Sequence, residues 1–127
     1  MKNNKTTIGV LYIVATPIGN PLDITLRAIE ILKTVDAVIC EDRREGSKLA
    51  KSIGIEIQEW IEINEHNEAN SGDYIQELLI NGTSLALISD CGTPVFSDPG
   101  AKIIERALSL GAQVIPIPGT SSLMAAL

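Results

Sequence analysis

The strongest constraint on the fold is the alternation of short β-branched apolar runs with longer amphipathic stretches. Strands that alternate with helices pair in parallel, because each parallel neighbour needs a crossover connection. The pattern therefore predicts an α/β domain, a five-stranded, mostly parallel sheet with helices on both faces. We predict strands at residues 8–15, 36–40, 55–63, 84–89 and 113–117, and helices at 24–34, 47–53, 72–80 and from 98 to about 110.

Capping residues mark where several of these helices begin and end. Asp23 is predicted to cap the first helix, and Asp98 caps the fourth with Pro99 at its first position. Gly54 and Gly111 follow two helices at the positions where a left-handed residue stops a helix.

Composition restricts the classes of function that need consideration. Hydrophobic residues form 45% and charged residues 20% of the 127 residues, which is typical of one globular domain. The net charge of −6 argues against binding nucleic acid by bulk charge alone, and the low aromatic content of 3% argues against a base-stacking platform. Cys40 and Cys91 are predicted to be reduced, buried thiols, and because no Cys/His cluster has metal-ligand spacing, no metal is expected.

The two ends of the chain have their own signals. Lys2 and Lys5 precede the apolar run 8–15 and imitate a signal peptide, but Ile and Val followed by a Pro/Gly loop favour a buried strand. No run approaches the roughly 20 apolar residues of a membrane span. Residues 123–127 read as a helix without a stop signal. We therefore expect the N-terminal part of a longer, cytoplasmic protein.

Four loops that follow predicted strands are candidates for a ligand site, since ligands of open α/β sheets bind beyond the carboxyl ends of the strands. Three of them combine Gly and Pro with hydroxyl residues and offer free backbone N–H groups. Ligand binding and simple turn formation are both compatible with this composition. No phosphate-binding loop, dinucleotide fingerprint or nucleophile elbow is present. The loops are residues 16–21, 41–45, 90–94 and 116–122.

Motifs within and around these loops resemble a known family over almost the whole chain. In order and spacing they are similar to the bacterial 16S rRNA cytidine 2′-O-methyltransferases of the tetrapyrrole (corrin/porphyrin) methylase superfamily. The motifs are residues 11–20, 23–28, 41–42, 65–68, 89–90 with 92–94, 97–100 and 115–119. The resemblance implies an S-adenosylmethionine (SAM) enzyme that acts on 16S rRNA in the small ribosomal subunit and commonly forms homodimers. Residues 1–127 would be its SAM-binding N-terminal domain, with the C-terminal substrate domain absent.

The same resemblance implies that three loops contact the cofactor. Hydroxyl and backbone N–H groups would bind the methionine carboxylate and amine, while Ile18 and Phe96 would pack against the adenosine. The chain departs from the usual motifs at Arg43, Cys91, 95–96 and 120–122, changes that are compatible with cofactor binding. The implied cofactor residues are Pro17, Ile18, Gly19, Cys91, Gly92, Thr93, Phe96, Ser121 and Ser122.

Methyl transfer to a ribose hydroxyl requires an aligned donor and acceptor, and a general base contributes roughly 10²–10⁴-fold. The candidates for that base are Glu41, Asp42 and His66, and Asp23 and Glu65 are further candidates for the same role. Each also has a structural interpretation, because an acidic pair can cap a helix and a loop histidine can be a surface residue. No base is singled out, and without half of the cleft the isolated domain is expected to be inactive.

Two other functions stay open. The chain could methylate a small molecule of the tetrapyrrole type, or be a non-catalytic SAM-binding or dimerisation module. The motifs at 17–20 and 65–68 favour the rRNA enzyme, and the intact loops count against the module. A local basic group in this acidic chain either contacts phosphate or forms a solvated helix face. It consists of Arg43, Arg44, Lys48 and Lys51.

Overall fold

The structure is a computed structural model that describes residues 7–16, 23–64, 66–89 and 98–119. Strands and helices alternate strictly along these residues, as the pattern of apolar runs predicts. The strands are β1 Val10–Ala15, β2 Ala37–Cys40, β3 Trp60–Glu62, β4 Ser84–Ser89 and β5 Gln113–Ile117. The helices are α1 Leu26–Thr34, α2 Arg43–Ile53, α3 Glu68–Ile80 and α4 Asp98–Ser109.

The five strands form one sheet in the order β3-β2-β4-β1-β5, and every pairing is parallel. β1 lies between β4 and β5, with its last residue, Ala15, opposite Ser89 of β4. One residue earlier, Val14 lies opposite Ile117 at the end of β5. The carboxyl ends of β4, β1 and β5 therefore finish within one residue of each other along one edge.

Helices cover both faces of the sheet, as predicted, and the structure puts two on each face. Alternate strand residues such as Leu11 and Ile39 face the cluster that includes Ile75 of α3 and Ile103 of α4. The other alternate residues, such as Val14, face the cluster that includes Leu32 of α1. Because both faces are buried, the central strands are apolar without interruption, as parallel strands usually are.

The direction of the crossovers reverses within the chain. The connections through α1 and α2 run toward the β3 edge of the sheet, and those through α3 and α4 run toward β5. The two pairs of helices lie on opposite faces. A right-handed crossover that runs toward one edge of a parallel sheet lies on one face, and one that runs toward the other edge lies on the opposite face. The position of the helices is therefore the one expected if all four crossovers have the same hand.

Several predicted element boundaries were wrong. The third helix begins at Glu68 rather than residue 72, because the residues before 72 already belong to its first turn. β1, β2 and α1 each start one or two residues later than predicted. Thr25 rather than Asp23 caps α1, because its hydroxyl accepts a hydrogen bond from the N–H of Ala28 at 3.1 Å. The second helix begins at Arg43 rather than residue 47, with Asp42 as its cap. The third strand is only Trp60–Glu62, since β2 offers just Val38 to Cys40 for pairing.

The predicted helix stops were confirmed. Gly54 and Gly111 adopt positive φ angles of 75° and 81°. A residue with a side chain is strained in this left-handed conformation, so glycine is favoured at both positions. The side chain of Asp98, the predicted cap of α4, lies outside the described residues.

Within the described ranges, no helix combines the length and the apolar character needed to cross a bilayer. The same residues contain no cluster of three or more His, Cys, Asp or Glu side chains arranged to hold a metal ion.

Candidate functional site

The carboxyl edge of the sheet divides into two halves. On one side, β4, β1 and β5 lead into the three segments that carry the predicted cofactor residues. On the other side, β2 and β3 lead into the segments with the candidate bases. The predicted cofactor residues fall outside the described residues, so they stay predictions. They are Pro17, Ile18, Gly19, Cys91, Gly92, Thr93, Phe96, Ser121 and Ser122.

The described residues of the β4-β1-β5 half show how closely the strand ends approach one another. Thr16, directly after β1, is 5% exposed. A Cβ atom on Gly119, two residues after β5, would lie 3.4 Å from Cβ of Ala15 at the end of β1. The segments that follow β1 and β5 therefore start side by side, close to the small residues Ala15 and Gly119.

The chain leaves neighbouring strands of this half toward opposite faces. α1 follows β1 and lies on one face, whereas α4 follows β4 and lies on the other. Adjacent strands whose connections diverge in this way leave a crevice beyond their carboxyl ends, which is the usual ligand site of open α/β sheets. The topology therefore puts such a crevice between the ends of β4 and β1.

The β2–β3 half is organised around the first turn of α2. Asp42 accepts a hydrogen bond from the backbone N–H of Arg44 at 2.9 Å, through Oδ1. Glu62, the last residue of β3, accepts one from the N–H of Arg43 at 2.9 Å, through Oε2. Two carboxylates thus satisfy amides that have no partner within the helix, at the end where negative charge is favourable.

The turn after β3 is held by a reciprocal pair of asparagines. Oδ1 of Asn64 accepts from the N–H groups of His66 at 2.8 Å and Asn67 at 3.1 Å. Oδ1 of Asn67 accepts from the N–H of Asn64 at 2.8 Å, and its Nδ2 donates to the carbonyl of Glu62 at 2.9 Å. Sequence reasoning missed these two residues, although asparagines three apart in a polar turn are a signal for such bonds.

The three candidate bases therefore lie at adjacent strand ends, but in different roles. Asp42 is committed to capping α2, the structural interpretation left open above. Glu41 follows β2 and His66 follows β3, and both side chains are exposed to solvent. Asp23 is exposed before α1, and Glu65 lies outside the described residues. None of these roles identifies the base, so it stays a prediction.

Cys40, at the end of β2, behaves as an apolar core residue. It is 1% exposed, and burial, followed by the carboxylates of Glu62 and Asp42, raises the pKa of its thiol to about 12. The thiol is protonated at neutral pH and is a poor nucleophile. The predicted burial of Cys40 is thereby confirmed, while Cys91 lies outside the described residues.

Curated relatives are similar to the chain along nearly all of its length. It is 45% identical over 125 residues to "Ribosomal RNA small subunit methyltransferase I" of Bacillus subtilis (strain 168), which covers 98% of this chain and 42% of that protein. It is 48% identical over 117 residues to the protein of the same name from Mesorhizobium japonicum, covering 92% of this chain and 40% of the relative. The chain thus spans less than half the length of these relatives.

A solved structure supports the fold. Uroporphyrin-III C-methyl transferase from Thermus thermophilus, complexed with S-adenyl homocysteine, matches with a TM-score of 0.58 at 21% identity. The match covers 93% of this chain and 48% of that one. The family described as Tetrapyrrole (Corrin/Porphyrin) Methylases matches residues 10–127. Together with the parallel sheet and its order, that match shows that the chain belongs to the tetrapyrrole methylase family.

Proposed function

We propose that the protein is a SAM-dependent methyltransferase that modifies a ribose 2′-hydroxyl of a cytidine in 16S rRNA, with residues 1–127 as its SAM-binding N-terminal domain. The observation that carries the proposal is the β4-β1-β5 half of the edge. Three strand ends finish nearly level there, and the chain diverges to opposite faces between β4 and β1. The motifs implied to bind SAM follow directly on these strands.

Two small residues at the strand ends support the proposal that a ligand lies there. Ala15 and Gly119 are small, and Gly119 approaches the end of β1 closely enough that a side chain there would meet Ala15. Hydroxyls of Thr93, Ser121 and Ser122 would bind the methionine carboxylate and amine, and Ile18, shaped by Pro17 and Gly19, would pack on the adenosine with Phe96. SAM supplies an electrophilic methyl group on its sulfonium. The S-adenyl homocysteine bound to the Thermus protein supports the same choice of cofactor here.

In this proposal the β2–β3 half receives the acceptor. Glu41 and His66 are exposed at neighbouring strand ends, and the asparagine pair holds the backbone of the turn that carries His66. Either side chain would take the proton of the 2′-hydroxyl as the methyl group transfers, while the site holds donor and acceptor in line. A C-terminal substrate domain, a homodimer and a cytoplasmic location belong to the same proposal.

The names of the curated relatives favour rRNA over a small molecule as the acceptor. The Bacillus and Mesorhizobium proteins, at 45% and 48% identity, carry the rRNA name, whereas the tetrapyrrole enzyme is 21% identical and supports only the fold. The test incubates the full-length native protein with labelled SAM and small ribosomal subunits that lack 2′-O-methyl groups. Mass spectrometry then maps the label in the RNA.

The proposal expects label on a cytidine ribose. Label on a base would contradict the 2′-hydroxyl as the acceptor group. No label in the RNA, despite tight binding of S-adenosylhomocysteine, would contradict the rRNA assignment and leave a small-molecule acceptor. A matched pair of variants tests the cofactor half. Thr93→Val should weaken S-adenosylhomocysteine binding about 2–10-fold, the loss of one hydrogen bond worth about 0.5–1.5 kcal/mol. Thr83→Val, before the amino end of β4, should leave binding unchanged.

A further inference from the structure

Helix α2 carries a row of basic side chains along one side. Arg44, Lys48 and Lys51 are exposed and occupy positions i, i+4 and i+7. At 3.6 residues per turn these positions fall within roughly 60° of one another around the helix axis. We call the three residues the basic stripe.

The opposite side of α2 is the side that packs on the protein. Gly46 and Ala50 are its buried residues, and a Cβ on Gly46 would lie 2.6 Å from Cζ3 of the Trp60 ring. Because Gly46 and Ala50 lie on the far side of the helix axis from the basic stripe, the three cations project into solvent. Their charges are available to a partner of this face.

The basic stripe contrasts with the rest of the chain. The chain has 10 Lys and Arg against 16 Asp and Glu, yet α2 holds four of the basic residues and a single acidic one. That residue, Glu45, approaches Lys48 at 3.6 Å, with side chains 60% and 75% exposed. Such an exposed ion pair contributes little to the free energy of folding. Within the described ranges, no ion pair involves Arg44 or Lys51.

We propose that the basic stripe is a docking surface for the phosphate backbone of the RNA substrate, an inference that rests on the proposed function. α2 begins directly after Glu41 and Asp42, so the stripe starts at the acceptor half of the edge and extends away from it. From Arg44 to Lys51 it covers about 10 Å of helix. In double-stranded DNA each strand carries a phosphate about every 3.4 Å of the axis. A nucleic-acid backbone with a spacing of that order can present more than one phosphate to the stripe.

The experiment measures how binding of full-length protein to protein-free 16S rRNA depends on salt. The test variant is Arg44→Gln with Lys51→Gln. The control, Lys33→Gln with Lys102→Gln, removes the same charge from exposed positions on α1 and α4. Each lost phosphate contact lowers the slope of log K against log salt by about 0.7–0.9. The test variant should therefore lower the slope by about 1.5, and the control should leave it unchanged.

The charge-conserving pair Arg44→Lys with Lys51→Arg should keep the parental slope, since phosphate contacts at this surface depend on charge. Equal slopes for test and control variants would overturn the basic stripe while leaving methyl transfer to rRNA intact. Parental protein that methylates no rRNA would instead refute the proposed function. Weaker binding of the test variant to intact subunits, with unchanged binding to free rRNA, would assign the stripe to a ribosomal protein and refute the RNA inference.

Discussion

Helices α2 and α3 begin after neighbouring strands at the same edge of the sheet, yet they are built in different ways. α2 carries four basic residues and one acidic residue, whereas α3 carries Glu68, Asp73 and Glu77 and no basic residue. α3 buries the large side chains Ile75 and Leu79. The buried residues of α2 are the small Gly46 and Ala50.

The two helices are attached to the rest of the domain by different contacts. α3 and α4 are held together by apolar packing and by Arg106, which bonds Asp73 at 3.0 Å and Gln76 at 3.1 Å across the two helices. α2 is held by close approach to Trp60 and by the carboxylates at its first turn. The exposed side of α2 takes no part in attaching the helix to the sheet, so it can carry a row of basic side chains.

The largest expected effect comes from removing the apolar attachment of α3. Leu79→Ala deletes a side chain that is 0% exposed, so it should lower the free energy of unfolding by about 2–5 kcal/mol. Leu49→Ala makes the same deletion in α2, where the side chain is only half-buried, and should cost about 1 kcal/mol. Denaturant unfolding of both variants of the native protein measures the difference. Equal losses would show that the two helices are attached alike.

A smaller effect is expected from adding one methyl group to each helix. In Gly46→Ala, the new Cβ would lie 2.6 and 2.8 Å from two atoms of the Trp60 ring, which is part of the packed α1–α2 face. Overpacking of this kind costs about 1–3 kcal/mol, and the gain in helix propensity of about 1 kcal/mol, which both alanine substitutions share, offsets only part of it. In Gly72→Ala, the nearest atom is Cζ of Arg106 at 3.0 Å, on a flexible side chain.

The gain in helix propensity, about 1 kcal/mol, should offset the shift of Arg106 and leave Gly72→Ala close to neutral. Thermal unfolding of the two alanine variants therefore tests whether α2 depends on close approach. A Gly46→Ala protein as stable as Gly72→Ala would contradict the account of that contact.

The smallest effect concerns the caps. Asp42→Ala should lower stability by about 0.5–2 kcal/mol because the N–H of Arg44 loses its acceptor. Asp42→Ser restores a capping oxygen and should recover most of the loss. We also expect Asp42→Ser to retain methyl transfer. Stable Asp42→Ser protein without transfer would instead identify Asp42 as the base.

Much of the fold could be predicted because both faces of a parallel sheet are buried. The apolar runs at 84–89 and 113–117 matched β4 and β5 without adjustment. Residues 55–63 misled the prediction, because Ile55 and Ile57 are apolar for another reason. They pack beside the α1–α2 cluster outside the strand, whose length is limited by the short β2. The pattern of apolar residues indicates which residues are buried, but it does not show which of them pair with a neighbouring strand.

Single-residue patterns also could not decide between competing caps. Asp23 and Thr25 both suit the start of α1, and only the backbone position of Ala28 selects the threonine. At the site, the sequence predicted that Glu41, Asp42 and His66 follow strands at one edge of the sheet. The cap formed by Asp42 and the bond from Arg43 to Glu62 depend on β2 and β3 being neighbours, which the order of strands along the chain does not reveal.

The most direct test of the account is ultraviolet cross-linking of the full-length protein with labelled SAM and 16S rRNA, followed by peptide mapping. The account predicts that SAM labels peptides that follow β4, β1 or β5, and that RNA labels peptides that contain α2. Labelling of α2 by SAM, or RNA cross-links confined to α3 and α4, would contradict the division of the sheet edge into a cofactor half and an acceptor half.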